Sequence, residues 1–124
     1  MRPVNAPQTT ATGTYSMAYE VSGASRLVFV SGQVAQSPDG GVPDGFEPQA
    51  RLVFANLEAQ LGACDMAFAN VVKLTSFLTR REDVPAFRAI REELFADHRP
   101  ASTLVLAELI DPDWLLEVEA VAVA

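Results

Sequence analysis

Two carboxylates, Glu117 and Glu119, stand at alternate positions in a C-terminal run, Leu116 to Ala124, that is otherwise apolar. A buried charge costs several kcal/mol unless it is paired or reaches a wet cleft. Alternate residues of a strand share a face, so the two glutamates point the same way. A carboxylate held in a cleft can shuttle a proton or hold a water. It can equally be structural, accepting backbone N–H bonds or an arginine across an interface. Glu119 fits an interface or solvent position better than a chemical one. Ser102 and Thr103, in Arg99-Pro-Ala-Ser-Thr-Leu-Val, offer hydroxyls. Ser102 has no evident histidine or lysine partner to activate it, which argues against covalent catalysis. Ser31-Gly32-Gln33 interrupts an apolar strand with polar groups. That suits a cleft wall, and a strand end equally well.

Other chemistries lack their residues. The single histidine, His98, argues against a His-based metal site or a catalytic dyad. It fits a helix C-terminus, where it complements the dipole. The single cysteine, Cys64, excludes an internal disulfide and a Cys-rich metal site, and packing is its expected role. No metal is expected. The net charge of −7 repels phosphate backbones and disfavours nucleic acid as a partner. The one basic cluster, Arg80, Arg81, Arg88, Arg91 and Arg99, is interleaved with acids and reads as a solvated helix face.

These residues need a scaffold. At 124 residues, the chain is expected to be one domain spanning 1–124, with an apolar content of 49% that suits a single core. No apolar run approaches the roughly 18 residues of a membrane span, so no membrane partner is expected. The first residues lack the apolar core of a secretory signal, so the expected location is the cytoplasm.

The pattern reads strand, strand, helix, strand, helix, strand, strand. Strands are expected over 15–21, 27–31, 71–79, 103–110 and 114–124. Phe68 is expected to join the third of these. The first helix spans about 48–63, with Phe54, Leu57, Leu61 and Cys64 on its buried stripe and Val53 beside them. The second spans 83–95, capped by Asp83, with Pro85 in the first turn and Phe87, Ile90, Leu94 and Phe95 inside. Ser37 to Gly45 is a turn-rich loop. The predicted class is α+β: a mixed sheet with two helices on one face. Its strands are apolar on both sides and the chain has nothing left to cover the second face. A homo-oligomer with sheets packed together follows.

Five segments resemble the Rid family, the YjgF-type proteins named for reactive intermediate deaminase. They are Gly13-Thr-Tyr-Ser-Met-Ala18, Val30-Ser-Gly-Gln33, Gln49-Ala-Arg51 with Asn56-Leu57, Val71 to Thr79, and Pro100-Ala-Ser-Thr103 with Leu116-Glu-Val-Glu-Ala120. The resemblance covers essentially the whole chain. It implies a chorismate-mutase-like α+β domain, assembled as a homotrimer with a central β-barrel and a cleft at each subunit interface. It also implies hydrolysis of imines or enamines such as 2-aminoacrylate, with no metal or cofactor. In the family, a glutamate of the last strand positions water, which implies Glu117 here. Tyr15 matches a tyrosine lining the family's cleft. Ser102 and Thr103 lie where the ligand's anionic end is held in the relatives, Leu104 would make the pocket floor apolar, and Ser31 and Gly32 join this lining as the cleft wall their polar break suits.

One position departs from the pattern. Where the deaminases carry an arginine that clamps the substrate carboxylate, this chain has Ser102. A hydroxyl cannot form the bidentate pair, and such a loss typically costs roughly 2–5 kcal/mol. Low activity on 2-aminoacrylate is therefore expected. So is a cleft without a fixed cation, suited to a neutral or cationic ligand. Arg99 either swings into the cleft or stands at the helix exit as a surface residue. The expected function is hydrolysis or deamination of another small C–N compound. The alternatives are a non-catalytic ligand-binding or chaperone-like trimer and a dehydratase or tautomerase. Ribonuclease activity is disfavoured by acidity and by the lack of a histidine site.

Overall fold

The computed structural model describes residues 1–9 and 13–124. Strand β1 (Arg2–Val4) pairs antiparallel with β2 (Ala18–Glu20) as a small separate ribbon. The main sheet holds β3 (Leu27–Val34), β4 (Val71–Leu78), β5 (Ala101–Leu106) and β6 (Leu116–Val123), in the order β3-β6-β4-β5. Helix α1 (Phe46–Ala63) follows β3, and α2 (Val84–Phe95) links β4 to β5. That crossover is why β4 and β5 alone run parallel.

Both helices form where the apolar spacing predicted. In α1, Phe46, Ala50, Val53, Phe54, Leu57 and Leu61 are buried. Asp65, at φ 56°, turns the chain out of the helix. In α2, Phe87, Ile90 and Phe95 are buried, with Pro85 in the first turn. Phe54 lies between Phe87, at 6.0 Å ring to ring, and Phe95, at 6.2 Å. The sheet meets this layer with Leu74, Leu78, Leu116, Val118 and Ala120, alternate residues of β4 and β6. Among the described residues no helix is long and apolar enough to cross a membrane.

Several boundaries differ from expectation. The strand expected over 15–21 is limited to Ala18–Glu20, and its three-residue partner β1 is too short to show a period. Phe68 lies in a 3-10 turn, not a strand. β5 ends at Leu106, leaving Ile110 93% exposed. Asp83 makes no side-chain cap bond; the adjacent Arg80 captures it, with bonds of 2.8 and 3.1 Å. The sheet's second face is also mixed rather than uniformly apolar. It carries Phe29, 74% exposed, and Leu27, but also Lys73, Thr75, Thr103 and both glutamates.

Candidate active site

A cleft of about 290 Å³ opens between α2 and the β5 edge of the sheet. Tyr15, Ser102 and Leu104 line it, as expected, together with Arg81, Arg88 and Arg91. Tyr15 is brought there by its neighbour. Ser16 is buried, its N–H donates to the Pro100 carbonyl at 3.1 Å, and its hydroxyl donates to the Arg99 carbonyl. A lone parallel bridge to Ala101 fixes the same register. The N-terminal segment is thus pinned to the start of β5, beside Ser102.

Arg91 corrects the sequence reading. The expected solvated face does not hold for it, since it is only 4% exposed. Its position explains this: it lies four residues from both Phe87 and Phe95, on the stripe that α2 turns inward. Its guanidinium carbon lies 5.6 Å from the centre of the Tyr15 ring and 5.8 Å from that of Phe87. Nη2 donates to Thr14 Oγ1 at 3.2 Å, and Nη1 makes a long bond of 3.4 Å to Ser102 Oγ. Among the described residues no carboxylate is within ion-pair distance of it. Burial, with help from the Arg88 charge, pulls its pKa below the usual arginine value. A guanidinium nevertheless keeps its proton at physiological pH. Two neutral hydroxyls at these lengths satisfy little of a five-donor cation. The cleft therefore holds a buried cation poised for an anion. The expectation of a cleft without one fails because helix α2 supplies the guanidinium that β5 lacks.

The remaining candidates lie elsewhere in the chain. Ser102 stands opposite Leu74, and Glu117 opposite Phe77, three residues further along β4. An odd separation puts them on opposite faces of the sheet. Glu117 sits against Gly32, where an added β-carbon would lie 2.0 Å from its Oε2. Gly32 and Ser31 form a bulge between Val30, paired with Ala120, and Gln33, paired with Val118. That bulge is the physical content of the interrupted strand. Ser31 lines a shallow depression with Lys73, Thr75 and Glu119. Thr103 accepts a 2.6 Å bond from Lys73 on this same face. One chain thus brings Tyr15, Ser102 and Leu104 together and leaves Glu117, Gly32, Ser31 and Thr103 on the far side.

Arg99 does not line the cleft, although its charge is felt at Arg91. His98 is structural: it stacks on Phe95, and its Nε2 lies 2.5 Å from the Val71 carbonyl oxygen. Cys64 packs at the core's edge, half-buried. Among the described residues no three His, Cys, Asp or Glu side chains converge as metal ligands would.

Comparison with known proteins adds to this geometry. A family model described as Endoribonuclease L-PSP matches residues 5–124. Protein mmf2, mitochondrial, of Schizosaccharomyces pombe is 31% identical over 97% of this chain and 95% of its own length. The 2-iminobutanoate/2-iminopropanoate deaminase of Rattus norvegicus is 33% identical over 91% of this chain and 82% of its own. Among solved structures, YyfB of Yersinia pestis, titled a Rid-family protein of unknown function, superposes with a TM-score of 0.89. It is 25% identical, covering 99% of this chain and 98% of the other.

Proposed function

The chain belongs to the Rid/YjgF family, the one described as Endoribonuclease L-PSP, and from that premise we propose that it hydrolyses a small 2-imino acid to the keto acid and ammonia. The observation that carries this reading is Arg91: a buried guanidinium, without a carboxylate partner among the described residues, directed at Ser102 in a small-ligand-sized cleft. The deaminase name of the rat relative supports the same reaction class.

In this reading Arg91 takes the substrate carboxylate, exchanging its two long hydroxyl bonds for a charged pair. Ser102 leaves open the space a longer side chain would fill, and Tyr15 walls the ligand. Water adds to the imine carbon and the C–N bond of the resulting carbinolamine breaks. The nitrogen departs as ammonia carrying both protons of the water, one taken up on addition and one released by the carbinolamine hydroxyl as the carbonyl forms. Among the described residues lining the cleft there is no carboxylate or imidazole to manage that water. We assign the role to Glu117 in a homotrimer whose packing sets the far sheet face of one copy beside the cleft of the next. The proposed compartment is the cytoplasm, which a fluorescent fusion reports directly.

A second reading rests on that same lack of an acid–base group: a trimer that binds its ligand without turnover. One assay separates the two. Imines generated by an amino-acid oxidase are trapped with semicarbazide, and the protein's effect on trapping is followed across amino acids. The enzyme reading expects faster imine loss. Arg91→Gln should lower kcat/KM at least roughly thirtyfold, the lower end of what removing a charged partner costs. Arg91→Lys, which keeps the charge and loses the fork, should fall between. No acceleration on any substrate, with keto acids still bound, leaves the binder.

A further inference from the structure

The cleft holds more positive charge than a single carboxylate needs. One planar guanidinium serves one carboxylate through paired hydrogen bonds. Arg91 alone suffices for the substrate's carboxylate, yet Arg81 and Arg88 line the same cleft. The chain has only nine Lys and Arg and carries a net charge of −7, so this concentration runs against its overall balance. Pairing sharpens the contrast. Arg80, beside Arg81, is neutralised by Asp83 and Glu82, and Arg51 by Glu47 and Glu93. Among the described residues Arg81, Arg88 and Arg91 form no ion pair, and no acid lines the cleft. Like charges gathered around a low-dielectric wall repel, and the Arg88 charge adds to burial in disfavouring the charge on Arg91. A dianion relieves all of this at once; a monoanion relieves part of it.

The three groups also differ in depth. Arg91 is buried, whereas Arg88, one turn earlier on α2, and Arg81, in the turn before α2, are exposed. The cleft thus has a deep cationic site and a cationic mouth. Its volume of about 290 Å³ leaves room beyond a three-carbon acid. We infer that the cleft takes a 2-imino dicarboxylate, with the α-carboxylate on Arg91 and the side-chain carboxylate on Arg88 and Arg81. Imines of this kind arise from oxidation of the acidic amino acids, so the reaction supplying them is an amino-acid dehydrogenation or oxidation. The assignment rests on the imine-hydrolase reading for its chemistry, and on the arginine arrangement alone for its specificity.

The test compares imines made from glutamate with those made from norvaline, which matches its chain length without the second charge. Wild type is expected to show at least roughly tenfold higher kcat/KM on the glutamate-derived imine. The Arg81→Gln/Arg88→Gln double variant is expected to reduce that ratio about tenfold, through KM more than kcat. A wild-type ratio near one, or a ratio the variant does not move, overturns the inference. If no imine is hydrolysed, the reaction assignment fails and binding decides the specificity by itself. Calorimetry with 2-oxoglutarate and 2-oxopentanoate then supports the inference if the diacid binds at least tenfold tighter, and overturns it otherwise. Both substituted residues are exposed, and thermal denaturation of the variant checks that the fold is intact.

Discussion

Gly32 gives a way to probe Glu117 without changing its charge. A β-carbon at position 32 would lie 2.0 Å from Glu117 Oε2 and 2.7 Å from its Cδ. The obstructed atoms are the far end of a flexible side chain, so the carboxylate can swing aside while the backbone holds. Gly32→Ala should therefore cost imine hydrolysis about as much as Glu117→Gln does, with melting temperature close to wild type. Unimpaired turnover in both variants would remove Glu117 from the mechanism. Ser76 offers a stability test. It is fully buried, and its hydroxyl has no hydrogen-bond partner among the described residues. Ser76→Ala removes an unsatisfied group at little packing cost and should stabilise by about 1 kcal/mol, read as a raised midpoint in urea. At this scale the sequence was legible where a charge broke a period-2 apolar pattern, as at Glu117. The same logic applied to a period of 3.6 would have found Arg91, which stands on the stripe shared by Phe87, Ile90 and Phe95. Its charged neighbours, Arg88, Glu92 and Glu93, hid that signal by making the whole segment look solvated.

Helix α2 does two jobs as an element: its inner stripe fills the core, and the same stripe delivers Arg91 to the cleft. Its placement against α1 therefore bears on the site. The exposed link between the helices is Arg51 with Glu93, a two-pronged pair that holds the Glu93 carboxyl below the usual carboxylate range. A depressed carboxylate contributes stability above its unfolded pKa and loses it as pH falls through the folded one. Glu93→Gln should therefore lower the melting temperature near pH 7, with the difference shrinking as pH falls below the ordinary glutamate range and vanishing once the folded carboxyl is protonated. Equal melting temperatures at neutral pH would show that solvent screens the pair completely. Both helices and the four strands of the main sheet were readable because each is long enough to show a period. β1 was not, at three residues, and the Asp83 cap was lost to a competitor, Arg80, that propensity does not weigh. Which face of the sheet each residue meets depended on pairing register. That is why Ser102 and Glu117, each in one of the two C-terminal segments, lie on opposite faces here.

Assembly decides whether those two faces make one site. The far side of the sheet leaves Phe29 74% and Leu27 58% exposed in β3, a position that favours burial against another copy. The polar residues interspersed there, Lys73, Thr75, Thr103 and Glu119, suit an interface that is wet in places. Lys73 already bonds Thr103, and the Ser31 depression lies between them and Phe29. The wild-type protein should sediment at three times the 13.3 kDa mass of the chain. Phe29→Asp places a charge in the apolar patch without disturbing the core, because Phe29 is 74% exposed and lies on the face opposite β3's inward residues Val28 and Val30. That variant should run as a smaller species by light scattering, keep its far-ultraviolet circular dichroism, and lose imine hydrolysis. It should still bind keto acids through Arg91, since that cleft is built within one chain. A monomeric wild type, or a dissociated variant with full turnover, would place the whole reaction within the single chain and oblige the water to be managed by Tyr15 or Ser102 instead of Glu117.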